Sequence, residues 1–300
     1  MTILITGAAG RTSTFVVREL LQSSSVAPQN LRLLVHSSNA VEKVRAQYPQ
    51  IPESSFVVGD YLEANTLPPA FEGVDIVFHN APTFHPLETA MGIAVINAAK
   101  TAGVQHFVYC SVLFPILTKL LNHKVKRDVE EYLIESGLNY TILEPTSLMQ
   151  NFNLNQVRES STVIAMYSPK VLQGFLDLQD LAEVARLVIL DPVPHNRARY
   201  ELTGQNCTLE DITKEISTRL GRQVVCKPVS REEVLLPKST LQHAELLSDL
   251  AVEGMDRMLY YYDKRGIPGN YNVLRWLLGR EPTTWADLLR RDIQCNENGI

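Results

Sequence analysis

The feature that most constrains the fold lies at the amino terminus, where an apolar run leads into a glycine-rich turn. Residues 2–6 (TILIT) are typical of a strand buried on both faces, and Gly7 and Gly10 stand ahead of a helical stretch. A strand, a glycine turn and a helix N-terminus together form a site for a dinucleotide pyrophosphate, because the turn N–H groups and the helix dipole face its oxygens. The sequence therefore predicts a dinucleotide-binding site at the amino terminus of the chain.

The glycine pattern of this turn is incomplete, since Ser13 replaces its usual third glycine. Serine is small enough to keep the helix close to its strand, and the strand before and the helix after provide the context that the motif requires. The residues expected to contact the cofactor here are Gly7, Ala9, Gly10, Arg11 and Thr12.

Short apolar segments rich in β-branched and aromatic residues recur through the first half of the chain. They predict strands at residues 32–36, 55–58, 74–78, 106–110 and 140–143. Helical stretches lie between them, most clearly at 88–102 and 120–136. This alternation predicts an α/β fold, a Rossmann-type doubly wound parallel sheet.

After Pro145 the regular alternation of strand and helix ends. Helices are predicted at 179–190, 208–220 and 239–264, with short strands only at 200–202 and 224–226. These strands are too few for an independent sheet. We therefore predict a cofactor-binding Rossmann domain over residues 1–150 and a smaller, mostly helical substrate-binding lobe over 151–300, with some segments returning to the core.

The end of the second strand indicates which dinucleotide is bound. NAD-binding proteins place an acid there for the ribose 2′-hydroxyl, whereas NADP-binding proteins supply a positive charge. No Asp or Glu occurs between Glu19 and Glu42, the strand ends at His36 and Ser37, and Arg11 lies in the glycine turn. Because a guanidinium binds phosphate well, the sequence favours NADP(H), with His36 and Ser37 among its contacts.

The composition excludes several other classes of function. A net charge of −5 provides no excess of positive charge for binding nucleic acid or an anionic membrane. No apolar run is long enough to span a bilayer. The four cysteines are scattered without a CxxC pair, which predicts neither a disulfide framework nor a metal site. Since the chain starts directly with a core strand, we expect no targeting peptide and a cytoplasmic protein; the oligomeric state stays open.

Several further segments follow the turn in a recognisable order. They are residues 59–61 (GDY), 71–75 (FEGVD), 98–104 (AAKTAGV), 106–111 (HFVYCS), 126–145 (KRDVEEYLIESGLNYTILEP) and 276–283 (WLLGREPT). Together with the turn they resemble the NmrA-like family of atypical short-chain dehydrogenases/reductases over nearly the whole chain.

The resemblance implies an NADP-binding core, a substrate lobe and further cofactor contacts. By position, Asp60, with Tyr61 beside it, would meet the adenine. Asn80 and Ala81 would line the ribose and phosphate side, and the residues near the nicotinamide would be Pro145 and Thr146. Glu144 stands where relatives often carry arginine.

The catalytic residues of ordinary short-chain dehydrogenases are only partly present. Those enzymes use a serine after the fifth strand and a Tyr–Lys pair four residues apart on the following helix. Ser111 and Lys126 match by position, but Asn122 replaces the tyrosine and could only orient a substrate or a water. The acid would then be His123, Lys124 or His85; otherwise the substrate needs no proton from the protein, or there is no redox step.

Bulky apolar residues in the segments flanking the expected cleft predict an apolar substrate. The substrate-binding candidates are Phe84, His85, Met149 and Phe152. Residues 260–262 (YYY), with Met255 and Met258, line a pocket or, more commonly at helical spacing, belong to the core.

The sequence thus favours an NADP(H)-dependent reductase of a bulky apolar small molecule, in secondary-metabolite biosynthesis and with redox-linked cyclisation or isomerisation as a variant. The alternative is a non-catalytic sensor of NADP that binds a protein partner.

Overall fold

The computed structural model describes residues 1–235 and 249–297. Within them the chain divides into two compact units. The first comprises residues 1–118, 123–144 and 181–200, and the second comprises 119–122, 145–180 and the described residues from 201 onward.

The elements alternate strand and helix up to residue 145. They are β1 (Ile3–Ile5), α1 (Arg11–Gln22), β2 (Leu31–Val35), α2 (Ser38–Gln47), β3 (Phe56–Val58), α3 (Pro68–Phe71), β4 (Ile76–His79), α4 (Glu88–Thr101), β5 (His106–Cys110), α5 (Leu121–Glu135) and β6 (Tyr140–Pro145).

The remaining elements follow residue 145. They are β7 (Ser147–Leu148), α6 (Leu154–Ser160), β8 (Thr162–Ala165), β9 (Gln173–Leu176), α7 (Leu178–Leu190), β10 (Ala198–Leu202), β11 (Gln205–Cys207), α8 (Leu209–Leu220), β12 (Val225–Pro228), α9 (Arg231–Leu235), α10 (Asp249–Lys264), α11 (Asn272–Leu278) and α12 (Trp285–Glu297).

The main sheet confirms the predicted Rossmann-type fold. Its seven strands are ordered β10-β6-β5-β4-β1-β2-β3, and β1 pairs in parallel with both β2 and β4. β1, β4, β5 and β6 are buried along their whole length, which explains why they read as short continuous apolar runs. Because the strands of the βα units are parallel, the segments that follow β1 to β5 meet at one edge of this sheet.

Helices α4 and α5 lie unusually close to each other. A Cβ placed on Gly92 of α4 would come within 2.6 Å of the Val129 side chain of α5, so a larger residue at 92 would force the helices apart. Gly92 lies one turn after Glu88, and Val129 lies one turn after Lys126. The close packing therefore also sets the distance between Glu88 and Lys126.

The second unit contains more strand than the sequence predicts. Strands β11, β9 and β7 form a three-stranded sheet, and β12 and β8 form a two-stranded one, so the expectation of too few strands for a separate sheet is wrong. These strands are only two to four residues long, too short for a period-two pattern to be detected.

Two other predictions for the second half concern its helices. Thr208 caps α8 through a reciprocal capping box with Asp211, as its position before the helix predicts. The predicted helix 239–264 is described as α10 from residue 249 onward, and residues 239–248 lie outside the described residues. Among the described helices, none is long and apolar enough to cross a membrane.

Candidate cofactor and catalytic site

The glycine turn after β1 has the backbone that the motif requires. Gly7 has a φ of +54°, and a Cβ at this position would lie 2.9 Å from the carbonyl oxygen of Asn80, the residue after β4. Ser13, which replaces the third glycine, is buried, and its Oγ donates to the carbonyl of Thr6 at 2.9 Å. That hydrogen bond ties α1 to β1, so the serine performs the packing role that the sequence assigned to it.

The amino end of α1 is built to accept an anion. The helix starts at Arg11 directly after Gly10, no side chain caps it, and its first turn contains no acid. Its leading N–H groups and its positive dipole end therefore remain available to negatively charged oxygens, as a dinucleotide pyrophosphate requires. Ala9, Arg11 and Thr12 lie on this same turn, and the Arg11 side chain is exposed.

The other predicted cofactor residues follow neighbouring strands at the same edge of the sheet. His36 is exposed after β2, and the hydroxyl of Ser37 accepts from the Ala40 N–H at 3.3 Å to cap α2. After β3, the Asp60 carboxylate accepts from the Leu62 N–H at 2.9 Å in a local turn. The Tyr61 hydroxyl lies 3.6 Å from where a Gly7 Cβ would stand. Asn80 and the buried Ala81 follow β4.

A histidine that the sequence analysis did not single out lies at the centre of this edge. His79, the last residue of β4, is fully buried, and its Nδ1 lies 2.8 Å from the Thr6 hydroxyl. Its ring stacks on Tyr109 of β5 with centroids 5.7 Å apart. Burial, reinforced by the positive charge of Lys126, lowers the pKa of His79 to about 3, so the imidazole is neutral at physiological pH.

Lys126 forms a buried ion pair. Its Nζ lies 2.8 Å from Oε1 of Glu88, the first residue of α4, and both side chains are buried. The same Nζ is 5.7 Å from the ring centroid of Tyr109. Burial alone would lower the pKa of Lys126, but the negative charge of Glu88 outweighs it, so the pKa lies above its usual value and the ammonium stays charged.

Three buried polar atoms around this pair lack a hydrogen-bond partner among the described residues. They are Nε2 of His79, the hydroxyl of Tyr109 and Oε2 of Glu88. Buried polar atoms are normally paired, so a set of unpaired ones beside a charged lysine indicates a place for a polar ligand or water. Together with the glycine turn and the uncapped helix, these atoms fit a nicotinamide dinucleotide.

Ser111 belongs to a second polar network. Its Oγ donates to Oε1 of Glu130 on α5, and Oε2 of Glu130 accepts from Arg199 Nη2 at 2.9 Å. Arg199 also binds Glu144 of β6 at 2.8 Å. Burial raises the pKa of Glu130 to about 7, and Glu144 adds to this while Ser111, Arg199 and Lys126 oppose it. Glu144 is thus paired with Arg199.

The candidate proton donors His123 and Lys124, and Asn122 beside them, differ in burial and in their hydrogen-bond partners. His123 is fully buried, and its Nδ1 donates to the Phe114 carbonyl at 3.1 Å; burial lowers its pKa. Burial disfavours the charged form of His123, so its role as an acid stays a prediction. Lys124 is exposed and pairs with Asp128, so it is a surface residue. The Asn122 amide donates to Met258 Sδ at 3.7 Å, and its buried Oδ1 has no partner among the described residues.

The predicted substrate residues divide between the two units. Phe84, in the loop before α4, has a φ of +61°, which is rare for a bulky side chain. His85 accepts from the Leu87 N–H at 3.1 Å through Nδ1. Met149 and Phe152 lie in the second unit, where Phe152 packs edge-on against Trp285 at 5.0 Å. Both also line a cavity of about 440 Å³.

The other predicted residues of the second unit are mainly structural. The Thr146 hydroxyl, just after Pro145, donates to the Gly174 carbonyl at 3.1 Å. Met255 and Tyr262 are buried, in agreement with the core interpretation, whereas the exposed Tyr260 lines a cavity of about 640 Å³. The described residues contain no group of three or more His, Cys, Asp or Glu side chains that could hold a metal ion.

Glu88, His79, Tyr109 and Glu130 are the site residues that sequence reasoning missed. Glu130 had a detectable signal, since it follows Lys126 by four residues on one helix and therefore shares its face. Tyr109 also had one, because it lies near the end of β5, two residues before Ser111. Glu88 had none, since an acid in the first turn of a helix is usually a solvated dipole partner.

Comparison with known proteins gives a consistent result. The model of the NmrA-like family matches residues 1–267. The NAD(P)H azoreductase of Xenophilus azovorans is 28% identical over 297 residues, which cover 96% of each chain. Quinone oxidoreductase 2 of Escherichia coli is 23% identical over 288 residues, covering 95% of this chain and 96% of the relative.

Two solved structures share the fold. The triphenylmethane reductase of Citrobacter sp., complexed with NADP(H), superposes with a TM-score of 0.79 at 22% identity, covering 97% of this chain and 99% of the other. The Escherichia coli quinone oxidoreductase complexed with NADPH gives a TM-score of 0.75 at 23% identity, with the same coverage.

Proposed function

The chain belongs to the NmrA-like family, and on that premise we propose that it is an NADP(H)-dependent reductase of a bulky, largely apolar small molecule. The observation that carries this proposal is the buried Lys126 ammonium, held 2.8 Å from Glu88 beside unpaired polar atoms at the carboxyl edge of the sheet. A buried charged pair beside unpaired polar atoms is a common feature of functional sites.

The residues that would hold the cofactor surround the glycine turn. The pyrophosphate would be bound by the uncapped end of α1, and Arg11 with the acid-free end of β2 would accept the 2′-phosphate. Lys126 would hold the nicotinamide ribose. When bound, NADPH would supply the hydride. The remaining expected contacts are Ala9, Thr12, His36, Ser37, Asp60, Tyr61, Asn80, Ala81, Pro145 and Thr146.

The relatives support a conjugated, electron-poor acceptor as substrate. Their names refer to azo compounds, quinones and triphenylmethane, and conjugated compounds of these classes can accept hydride. Phe84 and His85, in the loop that leads into Glu88, are our candidates for contacting such a molecule. A step in secondary-metabolite biosynthesis that returns the hydride internally would use the same residues.

The alternative is a protein that senses the NADP ratio and binds a protein partner. The observation in its favour is Asn122, which occupies the position of the usual proton donor. Such a protein would bind the cofactor without oxidising it.

The test compares cofactor binding with turnover. We expect the purified protein to bind NADPH more tightly than NADH and to oxidise NADPH with a quinone, an azo dye or a cationic triphenylmethane dye. Lys126→Ala should lose most of this turnover. Arg127→Ala removes the neighbouring exposed cation of the same helix and should behave as wild type. Binding of NADPH without oxidation by any acceptor would favour the sensor.

A further inference from the structure

The absence of a tyrosine beside Lys126 leaves one chemical question open. A quinone that receives hydride becomes an oxygen anion and must take up a proton, and an azo group likewise needs one on nitrogen. Asn122 has no proton to give at neutral pH, and His123 is buried with its pKa lowered. The proton must therefore come from solvent, from His85 or from another side chain at the site.

Ser111 and Glu130 are placed to do so. Ser111 follows β5 at the edge of the sheet where doubly wound folds bind their ligands, and its hydroxyl hydrogen bonds directly to Oε1 of Glu130. Glu130 lies one helical turn after Lys126, so both side chains project from the same face of α5. The serine thus links a buried carboxyl group to the catalytic edge.

The other oxygen of Glu130 connects to solvent. Oε2 accepts from Arg199 at 2.9 Å, and Arg199 is 48% exposed while Glu130 is 3% exposed. The charged groups that face Glu130 are Glu144, Arg199 and Lys126. For Glu130 to be reprotonated, water must reach Oε2 beside the exposed Arg199, because a guanidinium does not itself give up a proton.

We propose that Glu130 and Ser111 form a proton relay that replaces the missing tyrosine for acceptors that become anions on oxygen or nitrogen. This inference rests on the proposed reductase function. Glu130 does not reach the substrate itself, so it is a positioning residue that holds the proton and acts through Ser111.

Two proton transfers along the Glu130–Ser111 hydrogen bond account for every proton. When Glu130 is protonated, its Oε1–H donates to Ser111 Oγ, which turns the serine proton toward the acceptor. The Ser111 Oγ–H bond then breaks as the acceptor O–H or N–H bond forms, and the Glu130 proton restores the serine hydroxyl. The resulting carboxylate is stabilised by Arg199 until water returns one proton. A pKa near 7 keeps both forms of Glu130 populated at neutral pH.

The test compares two acceptors that differ in their need for a proton. A cationic triphenylmethane dye is neutralised by hydride alone, whereas a quinone needs hydride and a proton. Glu130→Gln keeps the size of the side chain but cannot release a proton. We expect it to lower kcat for the quinone at least tenfold with little change in KM, and to leave reduction of the dye within twofold of wild type. Ser111→Ala should also lower kcat for the quinone.

The matched control is Glu131→Gln, which makes the same change at the next residue, an exposed partner of Arg127. It should alter neither rate. Reduction of the dye reports that each variant is folded and loaded with cofactor, so slow quinone turnover is not a folding defect.

A second readout does not depend on turnover. In protein labelled with ¹³C at glutamate carboxyl groups, one carboxyl resonance should titrate near pH 7, and it should disappear in Glu130→Gln. If wild type reduces both acceptors and Glu130→Gln reduces the quinone equally fast, the relay is refuted and the reductase stands. If wild type reduces neither acceptor, the proposed function fails, and the relay fails with it.

Discussion

Removing the charge of Glu88 provides a demanding test of the site. The Glu88 carboxylate and the Lys126 ammonium lie 2.8 Å apart, and their side chains are 0% and 7% exposed. With an effective dielectric constant of about 20, Coulomb's law gives an attraction of about 6 kcal/mol at that distance. Breaking a buried pair from one side typically costs about 3 to 5 kcal/mol, because the other charge stays buried. We expect Glu88→Gln to lose that much stability at pH 7.

The assay is urea unfolding of wild type, Glu88→Gln, Lys126→Met and the double variant. The double variant should be more stable than Glu88→Gln, because no uncompensated charge remains. Asp128→Asn is the matched control, since its pair with Lys124 is also short, at 2.5 Å, but lies on the surface. It should cost less than about 1 kcal/mol. A Glu88→Gln loss no larger than the control loss would refute the assignment of a buried charged pair.

Three further predictions follow from single residues. Gly7→Ala would force a Cβ to within 2.9 Å of the Asn80 carbonyl, so NADPH affinity measured by calorimetry should fall at least tenfold; unchanged affinity would contradict the turn assignment. The pKa of Glu130 is raised from 4.5 to about 7, so its contribution to stability is present below pH 4.5 and is lost as the pH rises through 7, a change of about 3 kcal/mol. Urea unfolding between pH 4.5 and 7 should show this fall in the free energy of unfolding for wild type but not for Glu130→Gln. The same pH dependence in both proteins would contradict the prediction. Ser161 caps α6 with a φ of +51°, so Ser161→Gly should raise the unfolding free energy by about 0.5 to 1 kcal/mol, and a thermal melt showing a loss instead would contradict it.

The Rossmann half of the molecule could be predicted because its signals are local. Each buried strand is a continuous apolar run, and the glycine turn must follow one strand and precede a helix. The small sheets of the second unit could not be predicted, since a strand such as β7, with two residues, carries no period of its own. Their pairing is set by tertiary contacts.

The candidate site shows the same division. Lys126 and Ser111 were found from their positions after β5, but the carboxylate partner of Lys126 was not. Glu88 reaches Lys126 from another helix, at a distance fixed by the contact of Gly92 with Val129. The sequence could not show that His123 is buried, because its neighbours Asn122 and Lys124 are polar. Burial of a polar helix residue depends on which face the rest of the chain covers.

The central claim, that this chain is a reductase using Lys126, is tested most directly in a single turnover. Protein loaded with one equivalent of NADPH would be mixed with one equivalent of a quinone, and the nicotinamide absorbance would be followed in a stopped-flow instrument. Wild type is expected to consume the NADPH completely, and Lys126→Ala is expected to do so at least a hundredfold more slowly. Bound NADPH that stays reduced in wild type, or equal rates in both proteins, would contradict it.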